Sequence, residues 1–131
     1  MSLMRAILKL LNEIPIKINS AVLFGSLARG EGLPWSDVDL LLISGDFSGM
    51  RGEDRIRLLL DKWDYMRPLE PICLSPEEIS EENPLIWEIC RDGIPIVDDG
   101  TFRELRERCI KLLERRKIER RWYGYLTSSP P

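Results

Sequence analysis

The stretch Val22-Leu23-Phe24-Gly25-Ser26-Leu27-Ala28-Arg29-Gly30, followed after a short loop by Trp35-Ser36-Asp37-Val38-Asp39-Leu40-Leu41-Leu42-Ile43, organises the whole chain. Residues 19–24 end in an apolar run that reads as a buried strand. Gly25-Ser26 interrupts it, and a short helical turn through Arg29 is expected before the loop Gly30-Glu31-Gly32-Leu33-Pro34. Val38 to Ile43 read as a second strand, strongly apolar after Asp37. Residues two apart in a strand point to the same face, so Asp37 and Asp39 present two carboxylates side by side where that strand begins. Two such carboxylates repel unless a cation lies between them, which makes a divalent metal the natural occupant. Gly25-Ser26, between a buried strand and a helical turn, leaves backbone amides free for phosphate oxygens, and glycine lets a phosphate come close.

Working outward, residues 4–12 read as an amphipathic helix closed near Pro15, and residues 53–66 show helical periodicity through Ile56, Leu59, Leu60 and Trp63. A third strand is expected over residues 69–74, ending at the capping box Ser75-Pro76-Glu77-Glu78. Asn83-Pro84 opens a helix that Gly93 closes, and Ile94 to Val97 form a short extended piece. A second capping box, Thr101-Phe102-Arg103-Glu104, opens a long helix to about Trp122, with a frayed end beyond it. This order implies an α/β or α+β fold, a small mixed sheet flanked by helices. No repeat or linker divides it, so residues 1–131 are expected to form one domain with a basic C-terminal helix over 101–122.

Composition removes several classes of chemistry. With 44% apolar and 31% charged residues the chain reads as globular, and no run is long enough to cross a bilayer. No secretory signal is visible, so a cytoplasmic protein with no membrane partner is expected. Cys73, Cys90 and Cys109 form no C-x-x-C pair and lie in apolar-periodic stretches, as free buried thiols do. The chain contains no histidine, which excludes Ser-His-Asp triads and imidazole ligands. Any catalytic metal is then held by oxygen, which selects Mg²⁺ or Mn²⁺.

Charge is unevenly spread. Residues 1–100 carry 10 Lys or Arg against 18 Asp or Glu, whereas residues 101–131 carry 9 against 4. Along the final helix Phe102, Leu105, Cys109, Leu112 and Leu113 form an apolar stripe. Arg103, Arg106, Arg108, Lys111, Arg115, Arg116, Lys117, Arg120 and Arg121 cover its other faces. A solvated charged helix is the simplest reading of them; a docking surface for an acidic partner is the sharper one, and RNA contact is less favoured. The neighbouring cluster Trp122-Tyr123-Gly124-Tyr125 leans toward a contact site or folds back on the body.

Taken together the motif is G-S-x10-D-x-D, from Gly25-Ser26 to Asp37 and Asp39. It resembles the signature of the nucleotidyltransferase superfamily related to DNA polymerase beta, and at this length the chain is similar to the minimal nucleotidyltransferases (MNT) of prokaryotes. The resemblance implies that Gly25 and Ser26, with Arg29 and Ser36 beside them, hold the phosphates of an NTP. It implies that Asp37 and Asp39 hold two Mg²⁺ ions, with Mn²⁺ as the other candidate, and that a neighbouring strand supplies a third carboxylate. Glu70 is the best match to that third position, although the family often has aspartate there and prolines flank it. The reaction implied is in-line attack on the α-phosphate with loss of pyrophosphate. Proteins of this size are often paired with a HEPN-domain protein, which implies an antitoxin that transfers AMP from ATP to its toxin. Two alternatives stay open: transfer to a small molecule such as an aminoglycoside, and an antitoxin that docks without catalysis. Oligomerisation of the chain is left open as well.

Overall fold

The structure, a computed structural model, describes residues 1–127, with side chains through Lys117. Its elements are α1 (Leu3–Glu13), β1 (Ser20–Phe24), α2 (Gly25–Ala28), β2 (Val38–Ile43), α3 (Gly52–Leu60), β3 (Leu69–Leu74), α4 (Pro84–Asp92), β4 (Ile94–Asp98) and α5 (Thr101–Thr127). The four strands form one mixed sheet in the order β3-β2-β1-β4. β1 runs antiparallel to both β2 and β4, and β2 runs parallel to β3. The expected small mixed sheet flanked by helices is what forms.

The apolar runs of β1 and β2 make these the central strands, because both of their faces are covered. On one face Leu23, Val38, Leu40, Leu42 and Leu69 pack with Ile7, Leu10 and Ile14 from the α1 side and with Phe47 and Leu59. On the other, Val22, Phe24, Leu41 and Ile43 pack with Ile86, Ile89 and Cys90 of α4 and with Phe102, Leu105 and Cys109 of α5. α1 begins at Ser2, whose hydroxyl accepts the Arg5 amide at 3.2 Å. It ends at Ile14, ahead of Pro15, which cannot continue a helix.

Three expectations need correction. The helix read over 53–66 stops at Leu60, and Ile56 and Leu60 of its supposed apolar stripe are exposed. The indole of Trp63 instead donates to the Arg67 carbonyl at 2.8 Å, and Asp64 pairs with Lys9 at 2.8 Å, so residues 61–67 fold back toward α1. Leu59 of the expected stripe is buried, and the other inward position on α3 belongs to Arg55. Its guanidinium donates to the carbonyls of Met50 (3.0 Å) and Cys73 (3.1 Å) and to both carboxylate oxygens of Glu78 (2.7 and 3.2 Å). Burying an arginine is tolerated because nearly every donor finds an acceptor.

The second correction concerns the start of α5, where Thr101 is already in the helix rather than capping it. Asp98 accepts the amides of Gly100 (3.0 Å), Phe102 (3.1 Å) and Arg103 (3.1 Å), and Asp99 accepts that of Thr101 at 3.1 Å. The upstream carboxylates do the capping, with the favourable charge for a helix N-terminus. The other box stands at Ser75, whose amide donates to Glu78 at 2.7 Å.

Third, Arg106 is not on a solvated face: it donates to the carbonyls of Cys90 (2.9 Å) and Gly93, tying α5 to the end of α4. Leu113, assigned to the apolar stripe, is exposed, whereas Phe102, Leu105 and Cys109 are buried. Other basic side chains of the helix find acids of the body, Arg108 with Glu81 at 2.6 Å and Arg116 with Glu82 at 3.8 Å. α5 extends past Trp122 to Thr127; the aromatic cluster at 122–125 lies beyond the described side chains, and the expected frayed end, residues 128–131, lies outside the described residues. All three cysteines are free, Cys90 and Cys109 buried and Cys73 half-buried. Among the described residues no helix is long and apolar enough to cross a membrane.

Candidate active site

The sheet register decides which of the motif residues meet. Phe24, the last residue of β1, pairs with Asp39 of β2, so Gly25 leaves the sheet beside the Asp39 side chain. On the other flank the parallel pairing places Glu70 of β3 opposite Asp39. Gly25, Asp39 and Glu70 therefore gather at one end of three adjacent strands. Asp37 lies two residues ahead of Asp39, exposed at the mouth of β2, while Asp39 is half-buried. Alternation along β2 puts Asp39 on the face of Leu41 and Ile43, the face that α4 and α5 cover.

The approach of Gly25 to Asp39 is close enough to require glycine. Its φ is 75°, a left-handed conformation, and a Cβ there would overlap the Asp39 Oδ2. Ser26 follows in the first turn of α2, where helical amides have no intrahelical acceptor. At the other end of that turn Arg29 donates from Nε to Glu31 (3.1 Å) and from Nη1 to Glu88 (3.2 Å). Ser36 is committed to its own loop, with its hydroxyl accepting the Leu33 amide at 2.7 Å. That leaves its O–H free to donate onward.

The electrostatics explain why a cation suits the place. Burial pushes the Asp39 carboxyl above the ordinary carboxylate range, and the charges of Asp37, Glu70 and Glu88 push it further, opposed by Arg29. A divalent ion removes both penalties at once, because it restores ligation to the desolvated oxygens and offsets the repulsion. The donors are all carboxylate oxygens, the chemistry that Mg²⁺ or Mn²⁺ takes. Among the described residues no three acidic or cysteine side chains stand in a ready-made metal cage.

Two residues of the site were not identified from the sequence. Glu88, on α4, pairs with Arg29, and its charge acts on Asp39. Its only sequence signal is a single acid within an otherwise apolar stretch, Leu85-Ile86-Trp87-Glu88-Ile89. Arg67 donates to the carbonyls of Leu33 and Ser36 and so fastens the loop that leads into Asp37. No pattern pointed to it, since it acts through backbone atoms.

Comparison with known proteins meets this geometry. Residues 4–96, which contain every motif residue, match the family model described as the nucleotidyltransferase domain. A protein of Methanocaldococcus jannaschii, named as a candidate protein adenylyltransferase, is 35% identical over 106 residues, covering 75% of this chain and 71% of that protein. A chain from the crystal structure of a toxin–antitoxin with AMP-PNP shares the fold, with a TM-score of 0.59 at 16% identity over 98% of this chain and 100% of its own. A chain from the complex of a tri-AMPylated Shewanella oneidensis HEPN toxin with its MNT antitoxin gives a TM-score of 0.56 at 18% identity, covering 96% of each. With the Gly-Ser turn and the Asp-x-Asp strand brought to one end of the sheet, and most of the sequence inside the match, this chain belongs to the nucleotidyltransferase domain family.

Proposed function

We propose that the chain, as one nucleotidyltransferase domain spanning residues 1–131, transfers AMP from ATP in a Mg²⁺-dependent reaction onto a HEPN-type protein partner, acting in the cytoplasm as that partner's antitoxin. The observation that carries this reading is the gathering of Asp37, Asp39 and Glu70 around the close contact of Gly25 with Asp39. The likeness to a protein named for adenylyl transfer to protein supports AMP as the group moved. The fold shared with chains from toxin–antitoxin complexes, one of them with AMP-PNP and one with an AMPylated HEPN toxin, supports the nucleotide and the partner.

In this reading Asp37 and Asp39 hold the metal, and Glu70 completes its acidic wall. The bound ions supply charge neutralisation of the triphosphate and orientation of the attacking oxygen. Gly25 brings the backbone close enough for phosphate oxygens to reach the amides of the Gly25-Ser26 turn, with the Ser26 and Ser36 hydroxyls as further donors and Arg29 facing the same anion. The acceptor hydroxyl attacks the α-phosphorus, the bond to the pyrophosphate oxygen breaks in line, and Glu70 takes the hydroxyl proton.

Incubation with α-labelled ATP, Mg²⁺ and the product of the adjacent gene tests this. Label should move to the protein partner and vanish in the Asp37→Ala/Asp39→Ala variant. Label on an aminoglycoside instead would reassign the acceptor. Tight partner binding without label, unaltered in the double variant, would make the chain a docking antitoxin.

A further inference from the structure

Glu88 has no counterpart in the motif, yet it reaches the site from a different element. α2 and α4 are in contact, and across that contact the Oε1 of Glu88 accepts Nη1 of Arg29 at 3.2 Å. Glu31 takes Nε of the same guanidinium at 3.1 Å. Arginine has five donors in a planar fork, so two carboxylates on Nε and Nη1 fix the plane of the group and its rotation. Among the described residues no acceptor meets its Nη2. The Arg29 side chain is about a third exposed at 32%, and Glu88 is 41% exposed, so both can meet a ligand at the mouth of the site.

We propose that Glu88 is a positioning residue for nucleotide binding: with Glu31 at Nε and Glu88 at Nη1, the two carboxylates hold the Arg29 guanidinium so that its remaining donors face the triphosphate. This rests on the reading of Arg29 as a phosphate contact. A free arginine chain loses considerable rotamer freedom when it engages a phosphate, and a pre-set fork loses less of it per bond formed. Glu88 could act in the opposite sense, because a carboxylate near Asp39 repels an anionic nucleotide and competes for Arg29. The two roles predict opposite signs, which makes the choice measurable.

The test is binding of MgATP by calorimetry to the wild-type chain and to Glu88→Ala, Glu88→Gln, Arg29→Ala and the Arg29→Ala/Glu88→Ala pair. Glu88→Ala should weaken binding by about fivefold, a charge-assisted contact being worth about that much or more. Glu88→Gln keeps an acceptor for Nη1 without the charge, and should recover part of the loss. In the Arg29→Ala background the Glu88 substitution should change nothing, since its effect passes through that guanidinium. Equal tightening by Ala and Gln would overturn the proposal in favour of simple repulsion. An undiminished loss without Arg29 would overturn it too, as would unchanged binding in Glu88→Ala. Failure of the wild-type chain itself to bind MgATP would overturn the nucleotide reading as well, an outcome distinct from all of these.

Discussion

The Cα of Gly25 lies so close to the Asp39 carboxylate that a Cβ built on it would overlap Oδ2 and stand 3.0 Å from Cγ. One glycine is thus fixed by two demands, a φ of 75° and the space occupied by the Asp39 carboxylate. Gly25→Ala should cost about 1–2 kcal/mol of stability from the left-handed backbone alone. The larger effect falls on chemistry. Displacing Asp39 by about an ångström should lower AMP transfer by about 100-fold, since reacting groups must be held close to their productive geometry. Comparing unfolding midpoints with transfer rates separates the two, and a variant with wild-type transfer would refute the tight coupling of turn and carboxylate.

Asp39 should trade stability for activity. Burial and the charges of Asp37, Glu70 and Glu88 hold its carboxyl above the ordinary range, so the folded chain takes up that proton more readily than the unfolded chain does. Its contribution is therefore most favourable in acid and declines as pH rises through the raised value. Asp39→Asn removes the ionised form, and the metal-free variant should melt higher than wild type at neutral pH. Transfer should fall by at least about 100-fold with the metal site broken. Mg²⁺ should raise the midpoint of the wild-type chain and leave that of the variant where it is. A metal-free Asp39→Asn variant that melts lower than metal-free wild type would contradict the repulsion argument.

The candidate site was legible wherever a single strand or turn could speak for it. Period two put Asp37 and Asp39 together, and an apolar run bounded the strand at Val38–Ile43. Glu70 needed the parallel register with Asp39, which sequence alone does not supply; only the resemblance suggested it. Glu88 required knowing how α4 lies across the sheet end, a tertiary fact with no local signature. The same limit explains Arg55, which breaks the apolar stripe expected of α3 yet is buried, because its carbonyl acceptors come from Met50 and Cys73. At α5 the error was local: Thr101-x-x-Glu104 fitted a capping box, but Asp99 takes the Thr101 amide, the Gly100 carbonyl takes that of Glu104 at 2.9 Å, and Asp98 caps the free amides between them.

That competition at α5 gives a stability prediction. Asp98 accepts three amides and the Ser20 hydroxyl, the last at 2.8 Å, and so joins β1 to the start of the helix. Burial acts to raise its pKa, but the Ser20 hydroxyl and the three amides outweigh it and hold the carboxyl below its ordinary value. Asp98→Ala should destabilise the chain by about 1–2 kcal/mol, the range for losing a helix cap. Thr101→Ala should cost less, because Thr101 donates its hydroxyl to Asp99 and caps nothing. Denaturant unfolding of the two variants checks the order, and a larger loss in Thr101→Ala would restore the capping box.

The Arg55–Glu78 pair should contribute to the acid limb of stability, beside Asp98 and Asp99, whose carboxyls are also held down. The guanidinium of Arg55, then the Ser75 amide, hold the Glu78 carboxyl down at about 2 against an ordinary 4.5. A carboxyl depressed on folding contributes stability that is fully present above its unfolded value and lost as pH falls through its folded one. The wild-type chain should therefore lose stability between pH 4.5 and about 2, and Glu78→Gln should flatten that stretch of the curve. At pH 7 the same variant should be less stable than wild type, because the buried Arg55 keeps its carbonyls and loses its counter-charge. Arg55→Ala should cost more, on the order of 2 kcal/mol, since it also strands the Met50 and Cys73 carbonyls. Unfolding followed from pH 7 to pH 2 for the three proteins decides it: parallel curves for wild type and Glu78→Gln would mean that the pair carries no acid dependence.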